Sequence, residues 1–177
     1  RKEEDFHDQW AKSESIEYID VIKMNESITA PEMRYITDII LTHGGSTLLD
    51  VGSGLGEASV YFATKGLDVT ALDISSEMLT FSKKLALKYN VDINTVHSTA
   101  ESLNIKRDKK FDIIYVGNLF HHISIDETLS KFTRHLKDDG ILVSWDPIAY
   151  NPAINIYRNI AEDVRTEDEH PLTLSDF

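Results

Sequence analysis

Short apolar runs alternate with helical patterns through the middle of the chain, and this order constrains the fold more than any other feature. The runs are rich in β-branched and aromatic residues, and several lack the polar alternation of a sheet with one solvent face. We predict strands at Thr47–Val51, Asp68–Ile74, Ile93–His97, Phe111–Asn118 and Gly140–Pro147. Apolar residues at helical spacing predict helices at Leu55–Lys65, Ser76–Tyr89 and Ile125–Leu136. The order βαβαβ followed by βαβ indicates an α/β fold, with a parallel sheet and helices on both faces.

The chain of 177 residues is acidic and contains no cysteine. Its 30 aspartate and glutamate residues outnumber 18 lysine and arginine residues, which gives a formal net charge of -12. That charge repels a phosphate backbone and disfavours nucleic acid as a partner. Without cysteine a disulfide or a thiolate site is impossible, and no apolar run approaches the roughly 20 residues of a membrane span. We therefore expect one soluble, cytoplasmic domain without a metal site or a membrane span.

Three glycines follow the first predicted strand at every second position. Gly52, Gly54 and Gly56 can adopt positive φ angles, and their bare backbone lets another molecule lie against the main chain. In a parallel sheet, ligands bind beyond the carboxyl ends of the strands, where this turn lies. A dinucleotide fingerprint needs a glycine three residues after Gly54, and Glu57 stands there instead. The turn is therefore predicted to seat a ligand, and a pyrophosphate is disfavoured.

Two aspartates stand where they could face the same ligand. Asp50 lies two residues before the first glycine, and Asp73 closes the second predicted strand. The carboxylate of Asp50 would repel phosphate but could attract an ammonium group. A carboxylate at the position of Asp73 can accept hydrogen bonds from both hydroxyls of a ribose. S-adenosylmethionine offers both an ammonium group and a ribose, so the two aspartates favour it as the ligand.

Four segments carry motifs in a fixed order: LLDVGSGLGE, ALDISSEML, FDIIYVGNLFHHI and LKDDGILVSWDP. Together, over roughly Ala30 to Pro147, they resemble the class I S-adenosylmethionine-dependent methyltransferases. The resemblance is closest to the group that includes ubiquinone and menaquinone C-methyltransferases, and it leaves the acceptor unassigned. It implies a doubly wound, mainly parallel, Rossmann-like sheet with strand order 3-2-1-4-5. It also implies transfer of a methyl group from S-adenosylmethionine to a small or medium-sized acceptor, with S-adenosylhomocysteine as the product.

The resemblance further implies which residues bind the cofactor. The glycine turn would contact the methionine part, which Asp50 would orient, and Asp73 would bind the ribose. Ile74 and Met78 would lie against the adenine, although Met78 also fits plain core packing. Thr99 stands where the family commonly has aspartate or asparagine. The full implied set is Asp50, Gly52, Ser53, Gly54, Gly56, Asp73, Ile74, Met78, Thr99, Ala100, Glu101 and Asn118.

Two adjacent histidines after the fourth predicted strand are the candidates for catalysis. An imidazole near the methyl donor could take a proton from the acceptor, so His121 or His122 could act as a general base. The family shows such a pair with unrelated acceptors, however, which favours a packed or loop-shaping role. The predicted acceptor-binding residues are Phe120, His121, Asp146, Tyr150, Asn151, Tyr157 and Arg158.

The predicted domain has an N-terminal helical cap or lid, residues 1–45, ahead of a cofactor-binding core, residues 46–147. Within the cap, helices are predicted at Ser15–Met24 and Pro31–Thr42, and Thr29 would cap the second one. The preceding segment FHDQWAKS has two interpretations. It would lie over the site as a lid, with His7, Trp10 and Tyr18, or it would form a surface helix with two buried aromatic residues.

The remaining residues, 148–177, would hold a helix at Pro152–Arg165 and then a solvated acidic turn, residues 165–171, rather than a metal site. No paired strand signal follows the fifth strand, so the final antiparallel strands that are usual in the family are missing. That strand would then present an apolar edge. We expect the natural chain to extend before Arg1 and beyond Phe177, or this edge to be covered by the terminal segment or by a second copy in a homo-oligomer.

Two other functions remain open at the level of sequence. A non-catalytic module that binds S-adenosylmethionine would keep the glycine turn but lack an accessible acceptor pocket. A nicotinamide-dependent oxidoreductase would keep the fold and Asp73 while presenting a helix N-terminus to a pyrophosphate. The sequence also leaves open whether the acceptor atom is oxygen, nitrogen or carbon.

Overall fold

The computed structural model describes residues 2–28, 30–146 and 172–173. The helices are α1 (Lys2–Ser13), α2 (Val21–Glu26), α3 (Pro31–His43), α4 (Glu57–Thr64), α5 (Ser76–Lys88) and α6 (Ile125–Arg134), and a short 3-10 helix covers Ile16–Tyr18. The strands are β1 (Thr47–Val51), β2 (Asp68–Asp73), β3 (Asn94–His97), β4 (Phe111–Gly117) and β5 (Leu136–Trp145).

The five strands of the described residues form one parallel sheet in the order β3-β2-β1-β4-β5. The strand order 3-2-1-4-5 is therefore confirmed. β1 lies at the centre, where Asp50 pairs with Ala71 of β2 and with Tyr115 of β4. Because all strands run in the same direction, the carboxyl ends of β1, β2 and β4 meet at one edge of the sheet. This is the edge at which α/β proteins bind ligands.

Successive residues of β1 serve opposite faces of the sheet. Leu48 packs in one core cluster with Phe62 of α4, and Leu49 packs in a second cluster with Phe132 of α6. All four side chains are fully buried, and each such burial stabilises the fold by roughly 1.5–3 kcal/mol. The absence of polar alternation in the predicted strands is explained by helices that cover both faces.

The predicted helix Ser15–Met24 is wrong as a continuous element. The structure has the 3-10 helix Ile16–Tyr18 and then α2, and the backbone of Asp20 between them is extended. The Asp20 carboxylate accepts a hydrogen bond from the Lys23 backbone N–H at 3.0 Å. Aspartate stabilises a helix start better than a helix interior, because its side chain competes for backbone donors. The capping interaction therefore divides the segment.

Two other predicted boundaries also differ. α3 begins at Pro31 as predicted, but its capping position is Ala30, which makes no side-chain hydrogen bond, and Thr29 lies outside the described residues. β5 begins at Leu136 rather than Gly140, because Leu136 already pairs with Phe111 before the ladder shifts register and continues from Ile113. The bulge makes the strand longer than its apolar pattern indicates.

Much of the C-terminal prediction falls outside the described residues. This holds for the helix Pro152–Arg165, the turn at 165–171 and the acceptor candidates Tyr150, Asn151, Tyr157 and Arg158. Leu172 is described, and it is buried in the core cluster that contains Phe132. In the described ranges no helix is long and apolar enough to cross a membrane. The same ranges contain no group of three or more histidine or carboxylate side chains that could hold a metal ion.

One carboxyl group is buried in the central strand. Asp50 is 2% exposed, and its Oδ2 accepts a hydrogen bond from the Ser59 hydroxyl of α4 at 2.5 Å. Burial raises the pKa of Asp50 to about 7, against the lowering effect of the hydrogen bond from Ser59. The nearby carboxylates of Asp73 and Glu57 act in the same direction as burial.

Replacing Gly56 by alanine should destabilise the fold more than replacing Gly54. Both have positive φ angles, but a Cβ on Gly56 would lie 2.3 Å from the Cβ of Ser82, whereas a Cβ on Gly54 would meet no atom within 4 Å. Gly54→Ala should lower the free energy of unfolding by about 1 kcal/mol from backbone strain alone. Gly56→Ala should lower it by roughly 2–4 kcal/mol. Urea unfolding of both variants tests this, and equal losses would show that α4 and α5 are not in tight contact at Gly56.

Asp50→Asn should change how stability depends on pH. Because the folded pKa is raised from 3.8 to about 7, the folded protein holds a proton that the unfolded chain releases across this window. The free energy of unfolding of the parent should therefore fall as pH rises from 4 to 7, by roughly 2–4 kcal/mol from this group. The amide of the variant cannot ionise and can still accept from Ser59, so the variant should gain stability relative to the parent over that range. Parallel pH profiles from urea unfolding would contradict the assignment.

Candidate functional site

A cavity of about 470 Å³ lies at the carboxyl edge of the sheet. We call it the edge cavity. The loops that follow β1, β2, β3 and β4 line it from the sheet, and α1 and α3 contribute side chains from the N-terminal part. Of the sequence-predicted residues, it is lined by Asp50, Gly52, Ser53, Gly54, Asp73, Ile74, Thr99, Ala100, Glu101, Asn118 and His122. The fold thus brings most of the predicted set into one place.

The glycine turn is held against the end of β2. The backbone N–H groups of Gly52 and Ser53 both donate to the carbonyl of Leu72, at 2.8 and 3.0 Å. Gly52 and Gly54 have φ angles of 72° and 53°, which residues other than glycine rarely adopt. The space above Gly54 is open, whereas a Cβ on Gly52 would touch Leu119. Gly54 is therefore the position where a ligand could approach the main chain most closely.

Asp73 joins this turn to the start of α5. Its Oδ2 accepts a hydrogen bond from the Gly54 N–H and its Oδ1 accepts one from the Ser75 N–H, both at 2.8 Å. Burial raises the pKa of Asp73, and the two N–H donors act in the opposite direction. A carboxylate has about four acceptor sites, so each oxygen can still accept from a ligand hydroxyl. Asp73 thus offers a fixed pair of acceptors to the cavity.

The segment after β3 forms another wall of the edge cavity. Thr99 lines the cavity, but its hydroxyl donates to the Ser102 Oγ and accepts from the Ser102 N–H, both at 3.0 Å. The carbonyl of Glu101 accepts a hydrogen bond from Lys131 of α6 at 2.7 Å. The backbone of this wall is therefore held by its own turn and by α6.

Among the residues predicted for the cofactor or for catalysis, three do not line the edge cavity. The predicted acceptor-binding residue Phe120 does not line it either, because it is buried in the core cluster that contains Phe132. Gly56 packs against Ser82 of α5, and Met78 is fully buried in the core between the sheet and its helices. His121 is buried beside Asp146, with its Nδ1 at 3.0 Å from the Asp146 Oδ1. Their positions match packing roles: close helix contact, core filling and a buried polar pair.

The two histidines differ in their access to the cavity. His122 lines it, and its Nδ1 lies 3.6 Å from the Oε1 of Glu3. The rings of His121 and His122 are in contact, with their centroids 4.1 Å apart and their planes tilted by 40°. Of the two histidines, therefore, only His122 lies where it could exchange a proton directly with a molecule in the cavity.

The helix α1 contributes side chains to the wall of the edge cavity. Glu3, His7 and Trp10 line the cavity, and Asp8 accepts a hydrogen bond from the Ser75 hydroxyl at 2.5 Å. Trp10 is 44% exposed, and Phe6 is also exposed, so the interpretation of α1 as a surface helix with two buried aromatic residues is wrong. Tyr18, predicted for the lid, is exposed and does not line the cavity.

Sequence reasoning missed the lining residues that come from helices distant in sequence or from inside strands. Met24, Glu32 and Met33 come from α2 and α3, and no motif marks them. Tyr115 and Trp145 lie near the carboxyl ends of β4 and β5, so their place in the strand pattern could have indicated them. An extended strand of known direction is the only local signal available for such residues.

Comparison with known proteins identifies the family. A family model described as a methyltransferase domain matches residues 49–144. The chain is 32% identical over 120 residues to a glycine/sarcosine N-methyltransferase of Aphanothece halophytica, and the match covers 65% of this chain and 45% of the relative. It is 28% identical over 119 residues to a ubiquinone biosynthesis O-methyltransferase of Rickettsia akari, covering 67% and 44%. The chain thus spans about half the length of the curated relatives that it matches.

Solved structures show the same fold. The YcgJ protein of Bacillus subtilis matches with a TM-score of 0.65 and 25% identity, covering 81% of this chain and 64% of that one. An S-adenosylmethionine-dependent methyltransferase of Clostridium acetobutylicum matches with a TM-score of 0.60 and 19% identity, covering 83% and 57%. The match to the methyltransferase-domain family covers more than half of the chain, and the sheet order and glycine turn agree with it. The chain belongs to the class I S-adenosylmethionine-dependent methyltransferases.

Proposed function

We propose that this chain forms the cofactor-binding part of an enzyme that transfers a methyl group from S-adenosylmethionine to a small or medium-sized acceptor. One observation carries the proposal. Asp73 lines the edge cavity, and its carboxylate accepts a hydrogen bond from the Gly54 N–H at 2.8 Å. A Cβ on Gly54 would meet no atom within 4 Å, so the space next to this carboxylate is open. A ribose on Asp73 would leave the rest of the ligand against the bare turn.

The residues present fit this cofactor. The Ser53 Oγ is buried on the cavity wall and has no hydrogen-bond partner among the described residues, so it can serve a polar group of a ligand. The volume of about 470 Å³ is within the usual range for small-molecule sites. Asp50 at the base of the cavity would favour a positively charged ligand, because such a ligand stabilises its ionised form.

Each part of the cofactor has a proposed set of residues. Asp73 would accept the ribose hydroxyls, and the Gly52–Gly54 backbone with Asp50 would hold the methionine part. Ile74 and the backbone of residues 99–101 would border the adenine. The Thr99 hydroxyl is already hydrogen-bonded to Ser102. We therefore propose that the backbone of residues 99–101, rather than the Thr99 side chain, recognises the adenine.

The contribution of the protein to the reaction is mainly alignment. When bound, S-adenosylmethionine would supply a methyl group on a positively charged sulfur, which is a good leaving group when a nucleophilic atom of the acceptor takes the methyl carbon. The cavity walls would hold the acceptor in line with that bond and exclude water. Trp10 and His7 of α1 would cover the open side. His122 lines the cavity, and we propose it as a candidate base that would receive a proton from the acceptor.

The alternatives are less well supported. A nicotinamide cofactor would bring a pyrophosphate to the first turn, where Asp50 and Glu57 line the cavity and would repel it. A non-catalytic binding module would need no acceptor space, yet Met24 and Glu32 of the N-terminal helices line the cavity in addition to the residues proposed for the cofactor. The relatives are named for nitrogen and oxygen acceptors, so the acceptor atom stays open.

The composition of the chain also bears on the location and the partners of the protein. We propose a cytoplasmic location, because a reducing compartment suits a chain without cysteine. We also propose that nucleic acid is not a partner, on the basis of the net charge of -12 and a described cavity lining without lysine or arginine. A homo-oligomer that covers the edge of β5 also stays a proposal. We also propose that the chain is divided into a cap at 1–45, a core at 46–147 and an acceptor-side part at 148–177.

Asp73→Ala should weaken binding of S-adenosylhomocysteine by more than about tenfold, or about 1.4 kcal/mol, because the ribose loses its acceptor. Asp68→Ala is the matched control, since Asp68 is an exposed aspartate at the opposite end of the same strand. The control should bind as the parent does. Isothermal titration calorimetry measures both, and urea unfolding checks that the variants remain folded. If Asp73→Ala binds as tightly as the parent, the ribose assignment is wrong.

A further inference from the structure

A second cavity of about 310 Å³ adjoins the edge cavity and shares Glu32 and Trp145 with it. We call it the side cavity. Tyr35 of α3 and Asp146 at the end of β5 also line it. Its described lining contains two carboxylates and two aromatic rings, and no lysine, arginine or histidine. The charge and the aromatic surface both favour a positively charged ligand.

Asp146 provides an independent indication of a ligand. It is 9% exposed, and its Oδ1 is paired with the Nδ1 of His121 at 3.0 Å. Its Oδ2 is buried and has no hydrogen-bond partner within the described ranges. Leaving a buried carboxylate oxygen without a donor costs free energy, and more so when the group is charged. Asp146 lines the side cavity, so a cation bound there would lie close to this carboxylate and offset part of that cost.

The pair formed with His121 still leaves a negative charge for such a ligand. A carboxylate can only accept, so the Nδ1 of His121 carries the proton of this hydrogen bond. A neutral His121 with the proton on Nδ1 is sufficient for the interaction. Such a hydrogen bond does not neutralise the carboxylate of Asp146. Glu32 also lines the side cavity, so an ammonium group bound there would lie near two carboxyl groups and two aromatic side chains.

We propose that the side cavity binds the positively charged amine of the acceptor, so that the enzyme methylates an amine-bearing small molecule. This inference rests on the proposed function. Glu32 and Trp145 form the wall common to both cavities, so a molecule anchored at this wall can extend toward the cofactor. An acceptor with a carboxylate or phosphate at that end would be repelled by Glu32 and Asp146.

Choline and its uncharged carbon isostere 3,3-dimethylbutan-1-ol are suitable probes, because they differ in charge but hardly in shape. Binding of each would be measured by isothermal titration calorimetry, with and without saturating S-adenosylhomocysteine. We expect choline to bind the parent at least tenfold more tightly than the isostere. Equal affinity for the two probes would overturn the proposal, because the cavity would then recognise only apolar shape.

Glu32→Gln and Asp38→Asn form a matched pair of variants. Both remove one negative charge from α3, but Glu32 lines the side cavity and Asp38 is exposed on the same helix. Glu32→Gln should weaken choline at least fivefold and leave the affinity for S-adenosylhomocysteine within about threefold. Asp38→Asn should change neither. Equal choline affinity in the two variants would contradict the assignment of Glu32.

A purely structural role for Glu32 predicts a different result. Glu32 is in the first turn of α3, where a carboxylate stabilises the helix N-terminus. In that case Glu32→Gln would lower the urea midpoint without changing the preference for choline over its isostere. Failure of the proposed function is distinguishable, because the parent would then not bind S-adenosylhomocysteine. That result would overturn the assignment of the molecule in the side cavity as a methyl acceptor, whatever the choline affinity.

Discussion

The carboxylate of Asp73 fixes the arrangement on which the rest of the site depends. One oxygen accepts a hydrogen bond from the Gly54 N–H of the turn after β1, and the other accepts one from the Ser75 N–H at the start of α5. Ser75 then accepts from the Met78 N–H to cap α5, and its hydroxyl donates to Asp8 of α1. Two buried side chains, Asp73 and Ser75, thus connect the glycine turn, the second strand, the start of α5 and α1. The same carboxylate is the group proposed to hold the ribose.

This arrangement has an electrostatic cost. Asp50 and Asp73 lie close to each other in a buried region, and burial raises the pKa of both carboxyl groups. Hydrogen bonds from Ser59 and from backbone N–H groups compensate only in part, because desolvation is the largest effect in each case. A cation in the cavity would reduce the repulsion and favour both ionised forms. The fold therefore places two carboxyl groups, whose ionised forms a cation would stabilise, where a positively charged cofactor is proposed to bind.

The sequence predicted those parts of the structure that depend on local patterns and on strand direction. Buried strands lack polar alternation, and a glycine turn after a strand has few structural solutions, so the sheet and the position of Gly54 could be predicted. Gly56 and Met78 could not be placed, because the pattern does not say that Gly56 faces Ser82 or that Met78 faces the core. Glu32 lines the edge cavity because of the way α3 packs, and no local sequence pattern specifies that packing.

The central claim is that the edge cavity binds S-adenosylmethionine with its ribose on Asp73. A crystal structure of this chain with S-adenosylhomocysteine bound tests it most directly. The account predicts both ribose hydroxyls within hydrogen-bond distance of the Asp73 carboxylate and the amino-acid part of the ligand against the Gly52–Gly54 backbone. A ligand bound elsewhere, or one whose ribose does not contact Asp73, would contradict it.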